Sequence, residues 1–279
     1  MNFPKILGVF CFLTLYLNVF TQTTTGVPEP KTAKIEQTFA SKKWDDCLQL
    51  TISEYERFFE EGGEMPSDER AAFIESYGES HLKKIAEHTD STSELMGKAW
   101  FALGQIHPND YAKANLYFEK AAQIFCQKNN WKACLKAKGE IAALLAVNKK
   151  TAESETLTAE ISSLFSQHLS EKDSAVLIPA LLATAYNQGR KRAVDTALKY
   201  IQLVLNLSPE PFDHIRALSF QGFIRYWARH YQKSVQSFEA YIRLENDHHF
   251  IGKKERLGEA HFFTAGALRN LRHYEEALV

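Results

Sequence analysis

Apolar residues recur along this chain with the period of helices that bury one face. Between Ile215 and Leu244, one stripe carries Leu218, Gly222, Ile224 and Tyr226, and a second carries Tyr231, Val235, Phe238, Tyr241 and Ile242. Both lie close to the i, i+3/i+4, i+7 spacing of an amphipathic helix. They meet at Ala228-Arg229-His230, so the segment reads as an antiparallel helical hairpin. Gly222 stands where the two helices would approach most closely. Strand-like alternation is absent and glycine and proline are sparse, which predicts an all-α chain.

The same pattern extends upstream. Ile35 and Phe39, then Trp44, Leu48, Ile52, Tyr55 and Phe59, predict a helical pair over 34–62, stopped by Gly62-Gly63. Pro66-Ser67 opens a further helix bearing Ala72, Ile74, Tyr77, Leu82 and Ile85. Ser91-Thr92-Ser93-Glu94 is a capping-box pattern ahead of a helix that holds Trp100, Leu103 and Gly104. Pro108-Asn109 turns the chain into a partner helix with Tyr111, Ala114, Tyr117, Phe118 and Ala121. A last pair spans Trp131 to Val147 and Ala152 to Leu169, its second helix rich in Ser and Thr.

Recurrence of one unit carries more weight than any single stripe. Leu218, Gly222, Tyr231, Ser234 and Phe238 sit at the large, small, turn-aromatic, small and Phe positions of a tetratricopeptide (TPR) repeat, which this segment resembles. Tyr241 stands where that family prefers Ala, which implies a looser or shifted contact. A second copy carries Ala265, Tyr274 and Ala277, and a third carries Ala185, Ala197 and Ile201 and ends at Pro209. Trp100, Leu103 and Gly104 match the W-x-x-L-G mark, with Ala114 on the partner helix about two residues early. The spacing from Val194 to Tyr231 is 37 residues and from Tyr231 to Tyr274 is 43, longer than the family's ~34. Long copies of this kind resemble repeats of bacterial multi-domain proteins. The resemblance implies a right-handed superhelical solenoid of antiparallel helix pairs over 34–279, its last repeat truncated. It places Leu103, Gly104, Ala114, Ala185, Ala197, Gly222, Ser234, Phe238, Ala265 and Ala277 between packed helices.

The first 22 residues differ. Lys5 is the only charge before Glu29, and Ile6 to Phe20 is a nearly unbroken apolar run. A basic start and a short apolar core predict a signal peptide over 1–22, cleaved between Phe20 and Gly26, and hence an exported protein. At fifteen residues the run is short against the roughly 20 that span a bilayer. The polar tract 23–33 reads as a flexible leader. Cys47, Cys126 and Cys134 then remain. They read as small apolar core residues, with Cys126 and Cys134 able to oxidise only if they face each other across a turn at Asn129-Asn130.

Charge adds little, since 33 Lys+Arg balance 34 Asp+Glu, so no nucleic-acid or anionic-membrane partner is implied. His248-His249 with Glu255 and Glu259 lacks metal-ligand spacing and reads as solvated loop, as does Arg190-Lys191-Arg192. Asn206-Leu207-Ser208 is a glycosylation pattern followed by Pro209 and carries little weight. Nucleotide-binding and hydrolase motifs are missing, so no catalytic residue, metal or cofactor is assigned. What is left is a surface. Carried over from the family, the concave peptide groove would be lined by Leu182, Tyr186, Arg216, Ser219, Phe223, Tyr226, Glu259, Phe262, Arg269 and Asn270. The Lys/Asn clamp that holds a C-terminal carboxylate in some relatives is absent. Two readings follow. One is an exported, non-catalytic scaffold that binds a peptide or protein partner. The other is the N-terminal sensing or targeting half of a larger bacterial protein, with a caspase-like CHAT protease or a membrane span plus kinase or DNA-binding output following it. An open apolar end at Phe263, Leu268 and Leu271 predicts self-association.

Overall fold

The structure, a computed structural model, describes residues 37–38, 40–61, 79–88, 93–107, 110–207, 211–247 and 253–272. The expected signal peptide and leader, the part of the helix after Pro66 that carries Ala72, Ile74 and Tyr77, His248-His249 and the Tyr274–Ala277 part of the last repeat lie outside these residues, while Leu82 and Ile85 are buried in a described helix. The described residues are almost wholly helical and contain no strand. The helices are α1 (Trp44–Glu61), α2 (Ser80–His88), α3 (Glu94–Ile106), α4 (Tyr111–Gln127), α5 (Trp131–Val147), α6 (Thr151–His168), α7 (Ile178–Arg190), α8 (Val194–Asn206), α9 (Pro211–Trp227), α10 (Tyr231–Asp247) and α11 (Lys253–Asn270). A 3₁₀ segment, Glu171–Leu177, precedes α7.

Local chemistry sets the boundaries. Side-chain oxygens of Ser93, Asp110 and Asn130 accept the backbone N–H groups of Met96, Lys113 and Ala133, satisfying donors orphaned at the starts of α3, α4 and α5. The cap of α3 is thus Ser93, and Glu94 enters the first turn. At the ends of α4, α5, α7 and α9 the chain reverses through Asn129, Lys149, Arg192 and Arg229, each at a left-handed φ of 56–66°. The following N–H bonds back five residues, as from Asn130 to Phe125 and from His230 to Arg225. This closure satisfies the last carbonyls, and it usually employs glycine. Here long polar residues hold the position, which is why the turns carry no glycine signal in the sequence. The 3₁₀ segment was also unexpected. Its sign is Ser170 and Asp173, which form a reciprocal cap.

Consecutive helices pack on one another from α1 to α11, and the 3₁₀ segment packs on α5 and α7. In addition α5 packs on α7, α7 on α9 and α9 on α11. The first helices α5, α7, α9 and α11 thus contact one another in order. Within a pair, contact is closest where a ring lies over a glycine. A Cβ added at Gly104 would come within 2.6 Å of the Phe118 ring, and one at Gly97 within 2.8 Å of Phe125. One step of seven on α3 is matched by one of seven in the reverse sense on α4, as antiparallel helices require. In α9 and α10 the arrangement recurs: a Cβ at Gly222 would lie 2.6 Å from Phe238. Phe118 and Phe238 each lie seven residues into the second helix, while Gly104 is two residues from the end of α3 and Gly222 five from the end of α9, so the earlier contact sits nearer its turn.

Small residues of the second helices complete these contacts. The Ser234 hydroxyl donates to the Gly222 carbonyl at 2.9 Å, and the Ser154 hydroxyl donates to the Ala142 carbonyl at 2.9 Å, each twelve residues back. Such a hydroxyl buries no unsatisfied donor and leaves room for the facing backbone. Ser154 also accepts from Asn187 on α7 at 2.9 Å, which ties successive pairs. Leu103, Ala114, Ala185, Ala197 and Phe238 are buried in the same layers. Ala265 is only half-buried, and Ala277 lies outside the described residues. Tyr241 is not loose: it is 1% exposed, packed with Ile215, Phe223 and Ala260. Cys126 and Cys134 form a disulfide between α4 and α5, with Cα atoms 5.1 Å apart, so they are not merely core fillers. The Asn129 turn brings them together. Cys47 stays a buried thiol, and burial pushes it up to about 11.

These contacts predict opposite effects for two glycines. On an exposed helix face Gly→Ala gains about 1 kcal/mol of helix propensity. Gly258, with nothing within 4 Å, should show that gain as Gly258→Ala. Gly222→Ala should lose about 1–3 kcal/mol despite it, because Phe238 must move. Urea denaturation of both variants measures the difference. Equal and favourable shifts would mean that Phe238 does not press on Gly222.

Candidate functional site

Two groups of side chains bear on function. The first is a buried polar cluster between α2, α3 and α4. Glu79 is 7% exposed and lies just before α2. Its carboxylate accepts from the Tyr117 hydroxyl at 2.8 Å and pairs with Lys83 at 2.5 Å, with His107 at 3.4 Å and Lys113 at 4.0 Å. Trp100 stacks on Tyr117 at 5.5 Å, and the Lys120 ammonium sits 4.0 Å over the indole. Burial acts to raise the Glu79 carboxyl, but the hydrogen bonds from Lys83 and Tyr117 outweigh it and hold the group below its ordinary value. A carboxylate so fully engaged fastens α2 to the α3–α4 pair. The sequence pattern placed Tyr117 only in the apolar stripe of its helix and did not connect it to Glu79, because their meeting spans 38 residues.

The second group runs along the first helices of the later pairs. Residues 220, 223 and 227 share one face of α9 by their helical spacing. Tyr186 of α7 meets Phe220 at 5.3 Å and Trp227 edge-on at 5.4 Å. Phe223 stacks on Trp227 at 6.1 Å and meets Phe263 of α11 edge-on at 4.8 Å. Tyr226 meets Phe263 at 5.2 Å, and Phe262 meets Phe263 at 5.4 Å. The rings form a continuous strip across three helices. Its floor is buried, Phe223 being 9% exposed, while Trp227 at 39% and Phe262 at 69% remain open.

Charge flanks the strip on two sides. Burial pushes the Tyr186 hydroxyl above its ordinary value, the neighbouring Arg190 guanidinium pulls it back, and the Glu259 carboxylate adds to the rise. Tyr186 therefore lies within reach of charges on α7 and α11. Glu259 has exposed surface, yet the protein around it raises its carboxyl by desolvation.

The groove residues expected from the sequence separate accordingly. Tyr186, Phe223, Tyr226, Glu259 and Phe262 belong to the strip or its edge. Leu182 does not: it is fully buried with Ile178, Ala185 and Ile201, because it lies on the α7 face turned toward α8. Arg216 is engaged elsewhere. It forms a two-pronged ion pair with Glu140 of α5, at 2.9 and 3.0 Å, and lies 3.5 Å from Asp213. Burial opposes its charge, and the two carboxylates more than restore it. Ser219 is half-buried, and Arg269 is exposed at the far end of α11. The exposed Asn270 amide donates to the Gly266 carbonyl at 2.7 Å. Of the expected open end, Phe263, Leu268 and Leu271 are half-buried, and Phe262 is the exposed ring. Phe220, Trp227 and Arg190 were missing from the expected groove. The seven-residue step from Phe220 to Trp227 was the available signal.

Among the described residues no group of three His, Cys, Asp or Glu is placed to hold a metal, and no helix is long and apolar enough to cross a membrane. The chain matches no protein-family model and no curated protein.

The polar cluster predicts an acid-sensitive contribution. A carboxyl held low in the folded state stabilises fully above its unfolded value, near 4.3, and that stability is lost as pH falls through the folded value. Glu79→Gln should therefore be less stable than the native chain at pH 7, by roughly 1–3 kcal/mol. The gap should close as pH falls below about 4. Denaturant midpoints between pH 7 and pH 3 measure it, and a gap independent of pH would remove the charged clasp.

Proposed function

We propose that this chain is an exported interaction module of the TPR type, with helix pairs stacked in a right-handed superhelix and a peptide segment of a partner protein held along the first helices. The observation that carries the reading is the aromatic strip from Tyr186 to Phe262, continuous over three helices and open at Trp227 and Phe262. Rigid aromatic anchors on a buried floor are the usual centres of protein interfaces. The direct packing of α5 on α7, α7 on α9 and α9 on α11 supports a shared inner layer. The Cys126–Cys134 disulfide supports export, because such bonds persist in oxidising compartments.

Panning a random peptide display library against the full chain tests the reading. Peptides that bind the native chain should lose roughly tenfold or more in affinity to Trp227→Ala and to Phe262→Ala. The thermal melt of Phe262→Ala should barely change, since that ring is 69% exposed, and Trp227→Ala should stay folded with a modestly lower midpoint, since its ring packs on Tyr186 and Phe223. Undiminished binding to the double variant would place recognition elsewhere.

A further inference from the structure

Acids and bases nearly balance along the chain, but the fold does not spread them evenly. The first helices α5, α7, α9 and α11 run side by side in the same direction. Gly139 of α5 lies against Pro179 at the start of α7, and Asn187 near the end of α7 reaches Ser154 beside Ala142, so the two helices advance together. Gly189 of α7 lies against Ile224 of α9, one and three residues from the ends of their helices. Phe223 and Tyr226 of α9 meet Phe263 and Gly266 of α11 in the same order. The C-terminal turns of all four helices therefore come together at one end of the array.

Each of these turns reverses through a left-handed residue, and the four residues are Lys149, Arg192, Arg229 and Arg272. All four are exposed, and none makes an ion pair among the described residues. Lys150 and Lys191 beside them are paired, with Glu153 at 3.7 Å and Glu155 at 2.5 Å. Asp195 is the remaining acid in the first turns of α6, α8 and α10, which start at the same end. The opposite end, with Lys128, Glu171, Lys172 and Asp247, mixes both signs. A left-handed residue just past a helix is usually Gly or Asn, which adopt it with least strain. The like turn at the opposite end uses Asn129. The helix dipole favours a cation in the last turn as well, where Arg190 and Arg269 already stand. Local structure therefore does not require four cations in the strained position.

We infer that this end of the array is a docking face for an anionic lipid bilayer, held by charge complementarity with the headgroups. Packed helices lie about 8–10 Å apart, within roughly one Debye length at 0.1 M salt, so the four charges act as one patch. Clusters of this size are attracted to acidic leaflets. Nucleic-acid strands are held along a positively charged groove. These cations instead project from turn tips on long side chains, where a broad anionic surface reaches all of them at once.

Co-sedimentation of the full chain with vesicles tests the face. Vesicles of phosphatidylcholine mixed with phosphatidylglycerol should bind the native chain, and binding should weaken as salt is raised above about 0.1 M. Pure phosphatidylcholine vesicles should bind much less, and they report whatever the apolar run at 6–20 contributes. Arg192→Asn combined with Arg229→Asn should weaken binding to the acidic vesicles roughly fivefold per charge removed. Its melt should hold or rise, because Asn suits the left-handed position better. Lys172→Gln combined with Lys199→Gln removes two cations from elsewhere and should change binding little. Equal binding to neutral vesicles, or an equal loss in the Lys172 and Lys199 variant, would overturn the inference. So would a sulfated polysaccharide or a DNA duplex that binds through Arg192 and Arg229 while the acidic vesicles do not.

Discussion

The close approach of paired helices at a residue without a side chain is the constraint on which the rest of this structure depends. Phe118 covers Gly104, Phe125 covers Gly97 and Phe238 covers Gly222. Interiors packed at crystal-like density accept no methyl where a ring already fits. Each ring therefore fixes both the distance between its helices and their antiparallel register. A hydroxyl does related work, with or without such a ring beside it. Ser154 and Ser234 repeat one hydrogen bond to the facing first helix, twelve residues back in each case. That repetition of geometry is independent of any apolar pattern.

Fixed pairs present their first helices to each other, and longer-range contacts follow. Asn187 reaches Ser154, and Arg216 reaches over to Glu140, 76 residues earlier and on the second first helix back. Breaking a buried pair of this kind leaves an uncompensated charge, so Arg216 joins α9 to α5 at the expense of any part in ligand capture. The aromatic strip is formed by the same stacking. Phe223 packs beneath against Phe238, which sits over Gly222, and sideways against Phe263. The floor of the candidate groove is thus one ring removed from the contact that sets the pair.

Much of this was legible in the sequence. Helical hairpins around Gly222 and Gly104, the turn at 228–230 and the burial of Ala185 and Ala197 follow from the 3.6-residue period and from the recurrence of small residues, which local physics writes directly into the chain. The groove was legible only in part. Tyr186, Phe223, Glu259 and Phe262 stood in the expected set, but so did Leu182 and Arg216. Rotation of a helix by one residue moves a side chain by about 100°, and a repeat pattern does not fix that angle for a short helix such as α7. Long-range contacts such as the Arg216–Glu140 ion pair and the Tyr117–Glu79 hydrogen bond depend on which helices meet. No local pattern encodes that. The disulfide was open from sequence because a separation of 8 between the cysteines says nothing about a left-handed turn at Asn129.

A double-mutant cycle at Gly104 and Phe118 tests the central constraint most directly. Gly104→Ala introduces the methyl, Phe118→Leu withdraws the ring, and the combined variant does both. If the ring lies in the notch, the methyl costs stability only while the ring is present. The double variant should then be more stable than the sum of the single losses by roughly 1 kcal/mol or more. Losses that add to within about 0.5 kcal/mol would mean that Phe118 and Gly104 do not hold the helices together.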